Sequence, residues 1–419
     1  MGVVVCPNIN DYWEGVTRQP IMDAMGLQRF MQIKRYLRVS SPSPLQNPHW
    51  TAKLEPVASV LASRFRALYV PSTNLAIDEM MVQFSGRGAH TLKMPNKPIG
   101  EGYKIFALCD HGYTYTFEFY SRIDGARPTT IATSAATSDQ PTSAATSNQP
   151  IKLTPTSQTC LRLAKVLPYM TYRFNIYFDN YFSNVALFAI LRELGISACG
   201  TARSSTIPEP LRIDNNTARK VLPWDHTSAV IESGVLCGLW QDNNTVFVMS
   251  TIHDLNTRTL VHRRRPRETS TNAASARKIF ASDVRKLLLI PSLIDDYNQY
   301  MGGVDIADQL RSYYTTHLRG RRNWLPLFYW LLDTTPVNSY IFYRFFEPSI
   351  THKAFQLRVC TMLIQEGTQE RIRNCSQLHV HYLQPIDQSN RSRRGCKTCK
   401  ARTMYKCFKC DNSFCFLCI

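Results

Sequence analysis

The sequence predicts a mixed α/β protein with helical flanks and a cysteine-rich C-terminal module. Three observations carry that reading. Strand-length apolar runs alternate with helical patterns between residues 71 and 201. Apolar residues at three-to-four spacing dominate before and after that stretch. Six of the 13 cysteines crowd the last two dozen residues, as three C-x-x-C pairs.

Residues 11–70 read as helical: Met22 to Leu37 carries apolar side chains every three or four positions, and a second helical run covers Val57 to Leu68 after the prolines Pro42, Pro44 and Pro48. Leu75–Phe84 has the length and residue types of a buried strand. Tyr103–Cys109 and Tyr113–Tyr120 flank His111-Gly112 and predict a hairpin. Residues 128–158 contain a tandem nine-residue duplication (Thr133–Pro141, then Thr142–Pro150) with no apolar face, so a disordered surface loop is expected there. A helix near Cys160–Leu167, a strand at Arg173–Phe178, a helix at Asn184–Leu194 and a short strand at Ile196–Gly200 follow. Residues 202–290 read as mainly β and irregular, Ser292–Tyr313 and 325–366 as helical, and Gln388–Gly395 as a hydrophilic linker. The apolar stretch Trp324–Phe346 is interrupted by Asp333, Pro336, Asn338 and Arg344, which predicts a buried or amphipathic helix pair rather than a membrane span. No charged-then-apolar leader opens the sequence, and an intracellular, soluble protein is expected.

Lys and Arg number 49 against 31 Asp and Glu, a formal net charge of +18. Such an excess favours a polyanionic partner, because neutralised phosphates release condensed counterions. A ribosome-associated, membrane-surface or merely basic protein would share it. Seven cysteines are scattered singly, unlike a secreted disulfide scaffold, so a reducing compartment with one local metal site fits better.

Three acidic positions stand out by their settings. Asp78 interrupts an apolar strand, Asp179 ends the strand Phe174–Phe178, and Asp305 follows Gly302-Gly303, three residues before Asp308 on one helical face. Carboxylates on buried strands are costly unless paired. Several of them around two hard cations such as Mg²⁺ are one solution, and such a pair activates one oxygen of a phosphodiester while stabilising another. The plainer alternatives are a helix cap at Asp179 and arginine partners, such as Arg311, for Asp305 and Asp308.

Three ordered blocks resemble piggyBac transposases: Asn74–Arg87 with Met94–Pro98, Tyr177–Ser183, and Asp296–Leu310. Cys199–Arg203, Trp240 and Met249–Thr251 match linking pieces, so the resemblance runs from about Asp11 to the C-terminus. It implies an RNase H-like catalytic core with a β-rich insertion domain, in which Asp78, Asp179 and Asp305 bind the catalytic Mg²⁺ or Mn²⁺ pair and Asp308 is a further required acid. The implied organisation is a helical dimerisation or DNA-binding region at 1–70, core at 71–201, insertion domain at 202–290, core and helices at 291–370 and a zinc-binding domain at 371–419. The implied activity is cut-and-paste transposition by a homodimer in the nucleus. It acts on double-stranded DNA, by cleavage at the transposon ends and 3′-hydroxyl transfer into TTAA targets, with no membrane or small-molecule partner. A transposase-derived DNA-binding or chromatin protein without catalysis is the alternative.

Cys396/Cys399, Cys407/Cys410 and Cys415/Cys418 can each clasp an edge of a tetrahedral Zn²⁺. Two zinc ions need eight ligands, and His379 and His381 lie just upstream; His381 better matches the family's pattern, which implies a cross-braced module. Family members continue past the last knuckle to a further ligand segment, whereas this sequence stops at Ile419, so the expectation is one zinc ion or two. A disulfide cluster or free thiols is the alternative. Arg319, Arg321, Arg322 and Trp324 combine cations with an aromatic, as DNA contacts do, and Arg263, Arg264 and Arg265 belong to a second basic run. Both runs could equally be solvated loops. Trp240 is a candidate for stacking on a base or, more simply, a core residue.

Overall fold

The computed structural model describes residues 2–4, 6, 8–14, 20–41, 49–95, 97–123, 125–126, 153–269, 274–318, 320, 322–377, 383–385 and 405–407. Two compact units emerge: Met1–Val5 with Arg35–Lys353, and Cys6–Lys34 with Ala354–Ile419.

The elements run α1 (Asp11–Glu14), α2 (Pro20–Ala24), α3 (Leu27–Tyr36), α4 (Glu55–Leu68), β1 (Asn74–Gln83), β2 (Leu92–Lys93), β3 (Glu101–Asp110), β4 (Tyr113–Ser121) and β5 (Gly125–Ala126). Next come α5 (Pro155–Lys165), β6 (Phe174–Phe178), α6 (Val185–Glu193), β7 (Ile196–Ala202), α7 (Asn215–Val221), β8 (Thr227–Glu232), β9 (Val235–Gln241), β10 (Thr245–Ser250) and β11 (Arg258–Arg264). The remainder is α8 (Ala274–Phe280), β12 (Arg285–Pro291), α9 (Ser292–Tyr300), α10 (Gly303–Tyr313), α11 (Leu325–Tyr343), α12 (His352–Gln377), β13 (Leu383–Pro385) and β14 (Tyr405–Cys407).

The larger unit is built on one mixed sheet in the order β5-β4-β3-β1-β6-β7-β10-β9-β8, with β2 added at β3. β1, β6 and β7 are parallel, and the other pairs are antiparallel. The parallel trio is buried on both sides, which is why its strands read as near-continuous apolar runs. The hairpin β3–β4 turns at His111-Gly112, where Gly112 has φ +97°. A Cβ on Gly112 would also come within 2.8 Å of Ile306 on α10, so the same glycine lets that helix approach the sheet.

Alternation along the strands assigns the two faces. Ala107 pairs with Asp78 and with Phe117, and Phe117 packs edge-on against Trp330 of α11 at 4.9 Å, so α11 covers the Asp78 face. On the opposite face Glu118 receives two hydrogen bonds from Arg162 of α5 (3.0 and 2.8 Å), and Phe178 packs on Phe188 of α6. The sheet therefore lies between two helical layers.

Three local features depart from the sequence expectation. α5 begins at Pro155 rather than near Cys160, because Thr154 accepts the Ser157 amide as an N-cap and Pro155 suits the first turn. The last residues of the segment 128–158 are thus helical, and residues 127–152 lie outside the described ones. Ser292–Tyr313 forms two helices that break at Met301-Gly302, since Gly303 lies against the Cys109 carbonyl, where a Cβ would stand at 3.1 Å. Strands β8–β10, within residues 202–290, continue the main sheet through β7–β10 pairing, and β11–β12 form a separate two-stranded sheet.

The stretch Trp324–Phe346 becomes α11, which contains Pro336, and α12 follows. The hydroxyls of Thr334 and Thr335 donate back to the Trp330 and Leu331 carbonyls just before the proline. Among the described residues, no helix is long and apolar enough to cross a membrane. In the smaller unit Trp13 donates to the Met25 carbonyl (2.9 Å) and its ring meets Phe30 at 5.2 Å, while β13 pairs antiparallel with β14.

Trp330 is 1% exposed and wedged between Phe117 and Phe119. Trp330→Ala is expected to destabilise the protein by about 3–5 kcal/mol through lost burial and a residual cavity, read from urea unfolding midpoints.

Candidate active site

The parallel register of β1 and β6 pairs Asn74 with Asn175, Leu75 with Ile176, Ala76 with Tyr177 and Ile77 with Phe178. Asp78 and Asp179 each follow directly on the last pair of that register, and the Asp179 charge acts on Asp78. β6 ends at Phe178, so from Asp78 onward β1 has β3 on one side and no described strand on the other. The two carboxylates therefore stand at an opening in the sheet, both half-buried.

Asp305 comes from the first turn of α10, whose Gly303 packs against Ala76, the neighbour of Asp78 on the same strand face. It is exposed. α9, which precedes α10, is tied to the end of β10 by His253. The Nε2 of His253 lies 2.7 Å from Asp296 Oδ2 and its Nδ1 lies 3.0 Å from Ser250 Oγ. Asp308, one turn on from Asp305, is bound by Arg311. Among the described residues, no three His, Cys, Asp or Glu side chains stand close enough, as placed, to hold a metal ion.

The electrostatics are those of crowded anions. Burial, the Glu79 carboxylate and the Asp179 carboxylate push Asp78 up to about 7, against the Glu79 amide, which donates to Asp78 Oδ1 at 2.7 Å, and the charge of Lys97. Tyr297 of α9 is pushed up to about 12, by burial first and then by Asp179 and Asp78, while its hydroxyl shares a hydrogen bond with Thr201 at 3.3 Å. Adjacent carboxylates present the hard oxygen donors that a divalent cation takes.

Sequence reasoning assigned no role to the groups beneath this opening. On the opposite face from Asp78, Glu79 pairs with Lys97 (3.1 Å) and Lys104 (3.6 Å). The Lys104 ammonium lies 4.5 Å from the Tyr181 ring centre, and Arg203 stands 5.6 Å from the same ring while donating to Asn180 Oδ1 at 3.2 Å. The Asp179-Asn180-Tyr181 turn is thus held between two cations. Glu79, Tyr181, Lys97 and Arg203 all fall inside the motif strings, which was the available signal.

The basic and aromatic candidates separate. Arg263 is committed to Asp242 through two hydrogen bonds (3.0 and 2.6 Å) and lies 5.3 Å from the Trp240 ring centre. Trp240 is 2% exposed, donates to Asp225 at 2.8 Å and is a core residue. Arg264 is exposed, and Arg265 donates to the Ala281 carbonyl. Arg322 bonds the carbonyls of Arg35 and Leu37, and Trp324 is 8% exposed in the main core. Arg319 and Arg321 lie outside the described residues. An open groove of about 890 Å³ is lined by Arg35, Arg38, Lys53, Arg87 and Arg322, with no carboxylate among the described residues of its lining. Cys407 ends β14, its backbone paired with Leu383, while His381, Cys396, Cys399, Cys410, Cys415 and Cys418 lie outside the described residues.

Because Asp78 holds its proton more tightly folded than unfolded, it contributes stability below pH 4 that is lost as pH rises through about 7. In metal-free buffer, thermal midpoints of the wild type should fall relative to those of Asp78→Asn as pH rises from about 4 to about 7. Parallel profiles would contradict that assignment.

Comparison with known proteins bears on the whole arrangement. A family described as Transposase IS4 matches residues 1–340. The human PiggyBac transposable element-derived protein 3 is 24% identical over 429 aligned residues, covering 98% of this chain and 66% of that protein. The human PiggyBac transposable element-derived protein 2 is 24% identical over 351 residues, covering 82% of this chain and 53% of that protein. The chain thus spans between half and two thirds of the length of these relatives. A solved structure of the piggyBac transposase synaptic complex with hairpin DNA aligns with a TM-score of 0.61 at 20% identity, covering 94% of this chain and 78% of that one, a likeness of fold. By its motifs, its sheet and these matches, the chain belongs to the piggyBac transposase family.

Proposed function

We propose that this chain is a cut-and-paste DNA transposase whose centre is formed by Asp78, Asp179 and Asp305. The observation that carries the proposal is the shared register of β1 and β6, whose last pair, Ile77 with Phe178, directly precedes Asp78 and Asp179 at the sheet opening beside α10. The order β4-β3-β1-β6-β7, a meander on one side of β1 and two parallel strands on the other, supports an RNase H-like core. Family membership supports DNA as the partner.

In this reading Asp78 and Asp179 supply two carboxylates from the sheet and Asp305 supplies a third from the helix above them, holding two Mg²⁺ or Mn²⁺ ions. Divalent ions, when bound, supply activation of the attacking oxygen and charge neutralisation at the leaving oxygen. Asp308, gripped by Arg311, adds negative charge one turn behind Asp305. The exposed Asp305 has room to close on the sheet pair, since the helix start is seated on Gly303 while its side chain faces solvent.

The substrates in this reading are the transposon ends and TTAA target sites, the assembly is a homodimer that joins two ends, and the site of action is the nucleus. The cysteine-rich tail, with His381, Cys396, Cys399, Cys407, Cys410, Cys415 and Cys418, is proposed to hold one or two Zn²⁺ and to help recognise the ends. Arg264 and the basic groove around Arg322 are proposed phosphate contacts. A second reading, a DNA-binding protein without catalysis, is favoured by the names of the human relatives, which describe proteins derived from transposable elements.

The purified protein with Mg²⁺ or Mn²⁺ is expected to cut DNA bearing its cognate terminal repeats. Asp179→Asn should reduce cutting by at least about 100-fold, the scale of a lost charge-stabilising contact, and leave gel-shift binding intact. Binding without cleavage by the wild type would select the second reading. Neither binding nor cleavage would overturn both.

A further inference from the structure

Building on that reading, we propose that Lys97 is a catalytic residue that contacts DNA at this centre. Its ammonium would meet a non-bridging oxygen of the phosphodiester held at Asp78, Asp179 and Asp305, and Glu79 is the positioning residue that aims it. Lys97 sits on a turn between β2 and β3 that is closed by Met94 N–H to Gly100 O (2.8 Å) and Lys97 N–H to Met94 O (3.0 Å). Its Nζ lies 3.1 Å from Glu79 Oε1, next in sequence to Asp78 and at the point where β6 has left β1.

Two cations serve Glu79, and they are not equivalent. The Lys104 side chain is 6% exposed, with its ammonium 4.9 Å from the Phe106 ring centre and 4.5 Å from that of Tyr181, so it is fixed beneath the site. The Lys97 side chain is 42% exposed and reaches the same carboxylate from the solvent side. Lys104 can therefore keep Glu79 compensated while Lys97 turns toward a phosphate. An ammonium has three donors, and Glu79 uses one.

Charge balance gives the reason for such a group. A phosphodiester that approaches three carboxylates is repelled by each of them, and a fixed cation at the same opening offsets part of that repulsion where negative charge builds up during cleavage. Burial works against the Lys97 charge, yet its pKa is raised, because the Glu79 hydrogen bond and the charges of Glu79, Asp78 and Asp305 outweigh burial. The charges of Asp78 and Asp305 act on Lys97 in the same direction as that of Glu79. A half-exposed ion pair by itself contributes little to folding, so a purely structural reason for it is weak.

The test uses the full chain, supercoiled plasmid DNA and a short duplex oligonucleotide, with Mn²⁺ as the metal. Lys97→Ala should lower the kcat of plasmid nicking at least about tenfold, with the thermal midpoint unchanged and Mn²⁺ affinity measured without DNA equal or tighter. Lys97→Arg should recover part of the rate, and Glu79→Gln should lower kcat when read below its own thermal midpoint, which is expected to fall because the buried Lys104 loses its partner. If the wild type binds Mn²⁺ but does not nick, the gain in duplex affinity on adding Mn²⁺ takes the place of the rate, and Lys97→Ala must lose it. Wild-type behaviour of Lys97→Ala, or a joint loss of thermal midpoint, rate and Mn²⁺ affinity, overturns the role of Lys97. Asp78→Asn separates the two levels. If it abolishes Mn²⁺ binding while Lys97→Ala is silent, only Lys97 is wrong; if it changes nothing, the metal centre itself is wrong.

Discussion

The parallel pairing of β1 with β6 is the constraint on which the rest depends. Its register joins residues far apart in the chain, and the buried apolar faces of both strands fix it, because a slip by one residue would turn Ile77 and Phe178 away from the α6 layer. Because Ile77 pairs with Phe178, Asp78 and Asp179 each follow directly on the last pair of the register, on the same side of it. They sit where the sheet narrows, since β6 ends at Phe178 while β1 continues to Gln83 paired with β3 alone. Backbone pairing thus places two like charges together and leaves an entrance beside them.

Around that pair the fold spends its specificity on close approach. α10 can lie on the sheet because Gly303 and Gly112 present no Cβ to the Cys109 carbonyl and to Ile306. α9 is held by the Ser250–His253–Asp296 chain of hydrogen bonds, which ties the last strand of the main sheet to the helix leading into Asp305. Beneath the opening, Tyr181 lies between Lys104 and Arg203 and fixes the turn that follows Asp179. The positive charge that balances the acidic residues thus comes from side chains on the opposite face. The arginines of β11 are engaged differently: Arg258 and Arg263 close ion pairs with Asp225 and Asp242 around Trp240. A run of basic residues in sequence is therefore partly internal bracing here, and the exposed members, such as Arg264, are the ones open to a polyanion.

Much of the fold was legible residue by residue. The alternation in Tyr113–Tyr120 and the His111-Gly112 turn identify the hairpin, and the Asn184 N-cap marks the start of α6. The break between α9 and α10 was not legible, because Met301-Gly302 interrupts the helix for a tertiary reason, the contact of Gly303 with β3. Likewise Val235–Ser250 reads as strands, yet nothing local shows that they extend the central sheet through β7 rather than forming one of their own. Arg263 and Trp240 illustrate the same limit at the level of side chains, since their partners come from distant elements.

The sequence by itself determined the main strands and helices between residues 74 and 202, the strong positive charge, and which acidic residues interrupt apolar strands or follow a glycine pair. Those properties are set by local periodicity and composition. Only the tertiary structure decided that β1 and β6 pair in parallel up to the residues just before Asp78 and Asp179, that Asp305 arrives from a helix seated on the same face as Asp78, and that Glu79 sits between an exposed and a buried lysine. Each of these is a relation between residues well separated along the chain, and strand pairing and burial, which act through space, fix it.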